Sequence, residues 1–243
     1  MTPITLIAEV ASNAGNSLPL AKRFIQDFAA AGADIVKFQL TRVRHLRLTD
    51  PQYAWFASAE WTAANVLAIK AECALRNVGC MFTVYNFNDI PEYVSYGIPL
   101  LKIGSGEAHR EDLAIAIMQN RSAWTDIYVS TGLRAAHRDY VESPLDHIHL
   151  LYAVTRYPAP PQMFPRTYQG TSKQGWSDHC VGLDACYSAI IRGASCIEKH
   201  VQIVGQARPP SPWEATATDF ALLRAYADDN PETRFIDRWT VNP

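Results

Sequence analysis

Eight short apolar runs recur along this chain, each followed by a longer helical or loop segment, and this alternation limits the fold more than any other feature. The runs are Leu6–Val10, Ile35–Gln39, Cys80–Val84, Leu100–Gly104, Ile127–Thr131, His149–Ala153, Gly175–Asp178 and Ser195–His200. Between and after them the pattern predicts helices over Leu18–Ala31, Thr62–Arg76, Asn88–Tyr96, Glu111–Gln119, Leu183–Arg192 and Thr218–Asp228, with a weaker one over Ala136–Glu142. Ser17 is placed to cap the first helix and Gly32 to stop it. A polar and aromatic segment follows the second run, and a proline-rich stretch (Pro158, Pro160, Pro161, Pro165) follows the sixth. Strand–helix alternation implies parallel strands joined by right-handed crossovers. Eight such units within 243 residues favour a closed (β/α)8 barrel over an open doubly wound sheet. The expected organisation is a single α/β barrel domain over residues 1–228, with residues 229–243 as a C-terminal tail.

Composition removes several classes of function. The formal net charge is −2 and no basic face is evident, so nucleic acid is not an expected partner. No run of 18 apolar residues is present to span a membrane. Met1–Val10 runs straight into a strand pattern, without the charged region or cleavage site of a signal peptide. The five cysteines (Cys73, Cys80, Cys180, Cys186, Cys196) are odd in number and lack C-x-x-C spacing. They read as reduced, buried thiols of a cytoplasmic protein.

Active sites of such barrels lie where the strands end, and this chain loads those ends with polar side chains. Glu9 ends the first strand, Lys37 and Gln39 the second, and Lys102 the fourth, with Ser105 and Glu107 in the turn after it. Ser130 and Thr131 end the fifth strand, Ser177, Asp178 and His179 the seventh, and Glu198, Lys199 and His200 the eighth. Alternate residues of a strand share a face, so Lys37 goes with Gln39, Ser177 with His179, and Glu198 with His200. A lysine inside a barrel is costly unless it meets an anion. Lys37 and Lys102 therefore suit an anionic substrate, or else each closes a buried ion pair with Glu9 or Glu198; the two arrangements are compatible. His179 and His200, at the ends of neighbouring strands and with Glu9 expected across the barrel, suit a divalent metal with open positions. The competing reading is a pair of hydrogen-bonded structural histidines. His45, His109, His137, His147 and His149 read as surface or packing residues. Gly104-Ser105-Gly106 offers backbone N–H groups to an oxyanion, a weak signal alone.

Taken in order, these segments resemble the N-acetylneuraminate (sialic acid) synthase family, with its relatives that make legionaminic and pseudaminic acids. The resemblance is carried by Ile7-Ala8-Glu9, Ala31-Gly32-Ala33-Asp34, Val36-Lys37-Phe38-Gln39 and Lys102-Ile103-Gly104-Ser105-Gly106-Glu107. It continues through Ser130-Thr131-Gly132, Tyr157-Pro158, Ser177-Asp178-His179 and Glu198-Lys199-His200. It implies an enzyme joining phosphoenolpyruvate to an aldehyde sugar such as N-acetylmannosamine, giving a nonulosonic (sialic-type) acid and phosphate. It implies His179 and His200 as ligands of Mn²⁺ or Mg²⁺, and Lys37, Lys102, Ser105 and Ser177 as the phosphoenolpyruvate cradle, with Ser130 near it. Glu9 matches an acidic residue beside sugar and metal, and Tyr157 a further site position. Gln39 and Glu107 fall among the expected substrate-binding residues, and Glu198 is a candidate to orient a metal ligand.

The chain departs from the family pattern in four places. Ala14 follows Asn13 where the family usually has histidine, and Tyr152-Ala153 stands for His-Cys. No acidic residue in Arg208–Pro212 matches the one that follows strand eight in the family. The C-terminal antifreeze-like domain, which reaches the partner's site in family dimers, has no counterpart in this sequence. These differences fall on the sugar side, where Arg208 and Trp213 are candidates for a rebuilt pocket. A homodimer, or a separate protein supplying the domain, is the corresponding partner expectation. The alternatives are a related deoxy-sugar-acid phosphate synthase, a non-catalytic barrel that binds a sugar or scaffolds a partner, and a metal-dependent hydrolase.

Overall fold

The computed structural model describes residues 4–132, 136–142, 147–165, 168–171 and 174–230. Eight strands form a closed parallel barrel in sequence order: β1 (Thr5–Ala11), β2 (Ile35–Leu40), β3 (Gly79–Val84), β4 (Leu100–Ile103), β5 (Asp126–Thr131), β6 (Ile148–Ala153), β7 (Gln174–Asp178) and β8 (Cys196–His200). The ring shuts where β1 pairs with β8, and the last rung of that ladder sets Glu9 opposite His200. Glu9 is therefore beside His200 on the adjacent strand rather than across the barrel, because closure brings the first and last strands together.

The helices are α1 (Leu18–Ala30), α2 (Tyr53–Ala57), α3 (Ala63–Leu75), α4 (Ile90–Ser95), α5 (Glu111–Gln119), α6 (Arg138–Val141), α7 (Asp184–Ile191) and α8 (Ala217–Asp229). Their starts follow local chemistry. Ser17 accepts from Leu20 N at 3.4 Å at the head of α1, Thr62 caps α3, and Thr216 with Asp219 forms a capping box on α8. Gly32 ends α1 with φ +89°, a left-handed conformation that glycine adopts without strain. α2 is a helix in the segment where none is predicted, and the proline-rich stretch contains only a single 3-10 turn, Pro161–Met163. α8 runs to Asp229, and residues 231–243, which hold most of the expected tail, lie outside the described residues. All five cysteines are buried, and no helix of the described residues is long and apolar enough to cross a membrane.

Two apolar layers result. The larger packs the outward faces of the strands against the helices, with Phe24, Phe28, Phe38, Phe82, Trp176 and Phe220 among its members. The smaller fills the barrel interior near its base: Ile7, Ile35, Met81, Tyr128, Leu151 and Cys196, with Leu100 packed against them. Gly175 leaves room for this floor, because a Cβ there would lie 2.2 Å from Cys196 Sγ.

Candidate active site

Two residues further along the same strands, the interior changes character. Glu9, Lys37, Thr83, Lys102, Ser130, Ser177 and Glu198 occupy the next inward positions, and each is buried. Above them open Gln39, Tyr85, the turn 104–107, Thr155, Tyr157, His179 and His200, and together these residues line one cavity of about 340 Å³. All eleven site residues expected from sequence meet there. Thr83, Tyr85 and Thr155 are additional, and Glu198 belongs to the wall itself.

The cavity floor is an ion network. Lys37 Nζ lies 2.6 Å from Glu9 Oε2 and 3.6 Å from Glu198 Oε2, and donates to Thr83 Oγ1 at 3.0 Å. Lys102 Nζ donates to Ser130 Oγ at 2.7 Å and to Ile103 O at 3.0 Å, with Glu198 Oε2 at 3.8 Å. Ser177 Oγ donates to Glu198 Oε1 at 2.8 Å. Gln39 Nε2 reaches Glu9 Oε1 at 3.5 Å. The buried Oε2 atoms of Glu9 and Glu198 make no well-angled hydrogen bond and are held by charge alone. Of the two sequence readings, the ion pair is present at Lys37, whereas Lys102 is only loosely countered by Glu198.

Burial and neighbours drive these groups apart. Burial pushes Lys102 down to about 8, and the charge of Lys37 adds to the effect against the opposing pull of Glu198. Glu198 is held at about 2: burial raises it, but Lys102, Lys37 and the Ser177 hydroxyl outweigh burial. Glu9 is raised, first by burial and then by the charge of Glu198, against the pull of Lys37. The two neighbouring carboxyls are thus pushed in opposite directions, a division that suits acid–base chemistry.

The rim is aromatic and imidazole-rich. His179 Nδ1 lies 2.6 Å from Val154 O, an acceptor only, so Nδ1 carries the proton. Nε2 is left as the lone-pair nitrogen and accepts from Tyr157 OH at 2.9 Å. The His179 and His200 rings lie 5.4 Å apart, and Tyr157 packs against both and against Trp213. Burial lowers the pKa of His179; burial and then the His179 charge lower that of His200 further, so both are neutral near pH 7. Neutral imidazoles, one oriented through its far nitrogen, have the form that binds a divalent cation. Among the described residues no group of three or more His, Cys, Asp or Glu side chains is arranged to hold a metal ion. Glu9 is committed to Lys37 instead. By donor chemistry these residues offer a cation two imidazoles, with His179 Nε2 shared with the Tyr157 hydroxyl.

The turns are shaped to match. A Cβ on Gly132 would lie 2.5 Å from Ala153 O and 3.0 Å from Ser105 Oγ, so glycine lets the end of β5 approach the turn after β4. The segment after β8 differs from expectation. Arg208 stacks its guanidinium on Trp55 at 3.6 Å and bonds Ser58 Oγ at 2.6 Å, away from the cavity, whereas Trp213 stands beside Tyr157. An acidic residue is present just beyond Pro212: Glu214 accepts from Asn13 Nδ2 at 2.9 Å and staples this loop to the start of the barrel.

A sequence profile of the NeuB family matches residues 24–221. The chain belongs to the NeuB family. Among its relatives, N,N'-diacetyllegionaminic acid synthase of Campylobacter jejuni is 26% identical over 231 residues, covering 82% of this chain and 68% of the relative. N-acetylneuraminate-9-phosphate synthase of Drosophila melanogaster is 24% identical over 224 residues, covering 81% of this chain and 59% of the relative. A solved N-acetylneuraminic acid synthetase from Leptospira borgpetersenii superposes with a TM-score of 0.80 at 22% identity, covering all of this chain and 88% of that one. This NeuB barrel thus spans about three-fifths to two-thirds of the length of these two curated relatives, which are themselves sugar-acid synthases.

Proposed function

We propose that this barrel condenses phosphoenolpyruvate with an aldehyde sugar of the N-acetylmannosamine type, releasing phosphate and a nonulosonic acid. The observation that carries this reading is the loosely countered Lys102 beside Lys37 in a floor of buried charge. A carboxylate or phosphate entering the cavity supplies the anion that Lys102 lacks. Carbon 3 of phosphoenolpyruvate bonds to the aldehyde carbon, whose oxygen takes up a proton. Water adds at carbon 2, and the carbon–oxygen bond to phosphate breaks. Lys37 and Lys102 bind the anionic groups, with Ser105 and Ser130 as hydroxyl donors to them, while Ser177 lines the same cradle and holds Glu198. Glu9 handles the proton of the attacking water, and ionised Glu198 keeps both lysines in place. A divalent cation, Mn²⁺ or Mg²⁺, held by His179 and His200 would polarise the aldehyde oxygen when bound. Tyr157, backed by Trp213, forms the aromatic wall on the acceptor side, with Gln39 and Glu107 as polar contacts to sugar hydroxyls.

The test is phosphate release from phosphoenolpyruvate with Mn²⁺ across a panel of aldehyde sugars. Release that requires one sugar and is lost in His200→Ala supports the synthase. If no sugar elicits release at any protein concentration, the reading is wrong for this chain on its own.

A further inference from the structure

The strand ends that carry the two histidines are tied together on the side facing away from the cavity. Asp178 and Lys199 form the last rung of the β7–β8 ladder, one residue before His179 and His200. Their side chains point outward into the apolar layer, at 0% and 1% exposure. Lys199 Nζ lies 2.5 Å from Asp178 Oδ2 and donates to Cys180 O at 2.6 Å. Asp178 Oδ1 also accepts from Trp176 Nε1 at 3.0 Å and Cys180 N at 3.3 Å, and Cys186 Sγ lies 3.4 Å from Oδ2. The residues on either side of His179 are thus gripped at both their side-chain and backbone atoms. The histidine's own carbonyl is held by Ala159 N at 2.9 Å, and that of His200 by Ala215 N at 2.8 Å.

A fully buried ion pair is a poor way to stabilise a fold, since apolar residues of similar size serve as well or better. What this pair adds is geometry. β strands end by fraying, and beyond this rung no ladder pairing joins His179 to His200. Locking the rung fixes how far apart, and at what angle, the next two side chains enter the cavity.

We propose that Asp178 and Lys199 are positioning residues that set the spacing of the His179–His200 pair and hold His179 Nδ1 against the Val154 carbonyl that fixes its tautomer. As a statement about metal binding the inference rests on the function proposed above; as a statement about imidazole geometry it stands alone.

The test uses Lys199→Met, the double variant Asp178→Asn with Lys199→Met, and Trp176→Phe. Lys199→Met leaves a buried carboxylate unpaired and can fail to fold. The double variant removes both charges and keeps an acceptor for Trp176 and Cys180, so it folds with a melting temperature close to that of the parent. Two readouts follow: imidazole ¹⁵N–¹H spectra without metal, and Mn²⁺ affinity by electron paramagnetic resonance. In the parent, His179 gives one set of signals with Nδ1 protonated. In the double variant those signals shift or broaden towards mixed tautomers, and Mn²⁺ affinity drops about 10- to 100-fold. Trp176→Phe, which removes one donor to Asp178, moves the signals part of the way. Unchanged His179 signals in the folded double variant and in Trp176→Phe would overturn the inference. If the parent binds no Mn²⁺, the metal assignment in the proposed function fails, while the imidazole spectra still decide the role of the clamp.

Discussion

The floor of the barrel and the layer above it are built by the same strands, two residues apart, yet they solve opposite problems. Ile7, Ile35, Met81, Tyr128, Leu151 and Cys196 exclude water from the base. Glu9, Lys37, Thr83, Lys102, Ser130, Ser177 and Glu198 stand on that base and carry seven functional groups that water would otherwise solvate. The backbone is common to both, so the difference comes from side chains alone. The lower layer makes the upper one powerful: charges against a dry, close-packed floor interact far more strongly than in water. The upper layer is also the weaker in stability, because buried charge costs more than buried hydrocarbon.

Breaking the upper layer has the largest expected effect. Lys37→Met strands Glu9 and Glu198 without their nearest cation, and urea unfolding should show a loss of about 3–5 kcal/mol together with loss of phosphate release. Breaking the lower layer separates the two. Met81→Ala should cost about 2–5 kcal/mol, while calorimetry on the folded protein at low temperature should find phosphoenolpyruvate binding close to the parent value. A parallel loss of binding would show that the floor shapes the site directly.

The comparison sharpens with pH. The pKa of Lys102 is depressed to about 8, so the amine is charged below that value and neutral above it. Affinity for an anionic ligand should therefore fall above pH 8, by up to tenfold per pH unit, and Lys102→Met should flatten the profile. The linked stability has the opposite sense: the unfolded chain holds this proton up to about 10.5, so the cost of burying the charge is relieved as pH rises from 8. The smallest effect is expected at the rim. Tyr157→Phe removes one hydroxyl from His179 Nε2, and thermal unfolding should report a change of about 0.5–1.5 kcal/mol, with the His179 pKa raised in an NMR titration.

Much of this was legible in the sequence, because period-two alternation in the strands displays the inward face directly. Lys37 with Gln39, Ser177 with His179 and Glu198 with His200 stand out as polar residues among apolar neighbours. Thr83 and Tyr85 obey the same period from Met81 but are hidden by their chemistry: threonine and tyrosine are ordinary strand residues and raise no alarm in an apolar run. Glu214 is hidden for another reason. It lies in a loop, where no periodicity marks a partner, and only the fold shows Asn13 within reach. Arg208 shows the reverse failure, a cation in the right segment whose side chain finds Trp55 first.

The pairing of Glu9 with His200 has a consequence for synthesis. These two residues share a rung, yet nearly the whole barrel separates them along the chain. No nascent fragment that stops short of β8 can hold the cavity, because the first strand waits with an open edge until the last one emerges. A complete cavity should therefore appear abruptly and late during translation, and the wait leaves β1 exposed to wrong partners for as long as the ribosome takes to reach His200.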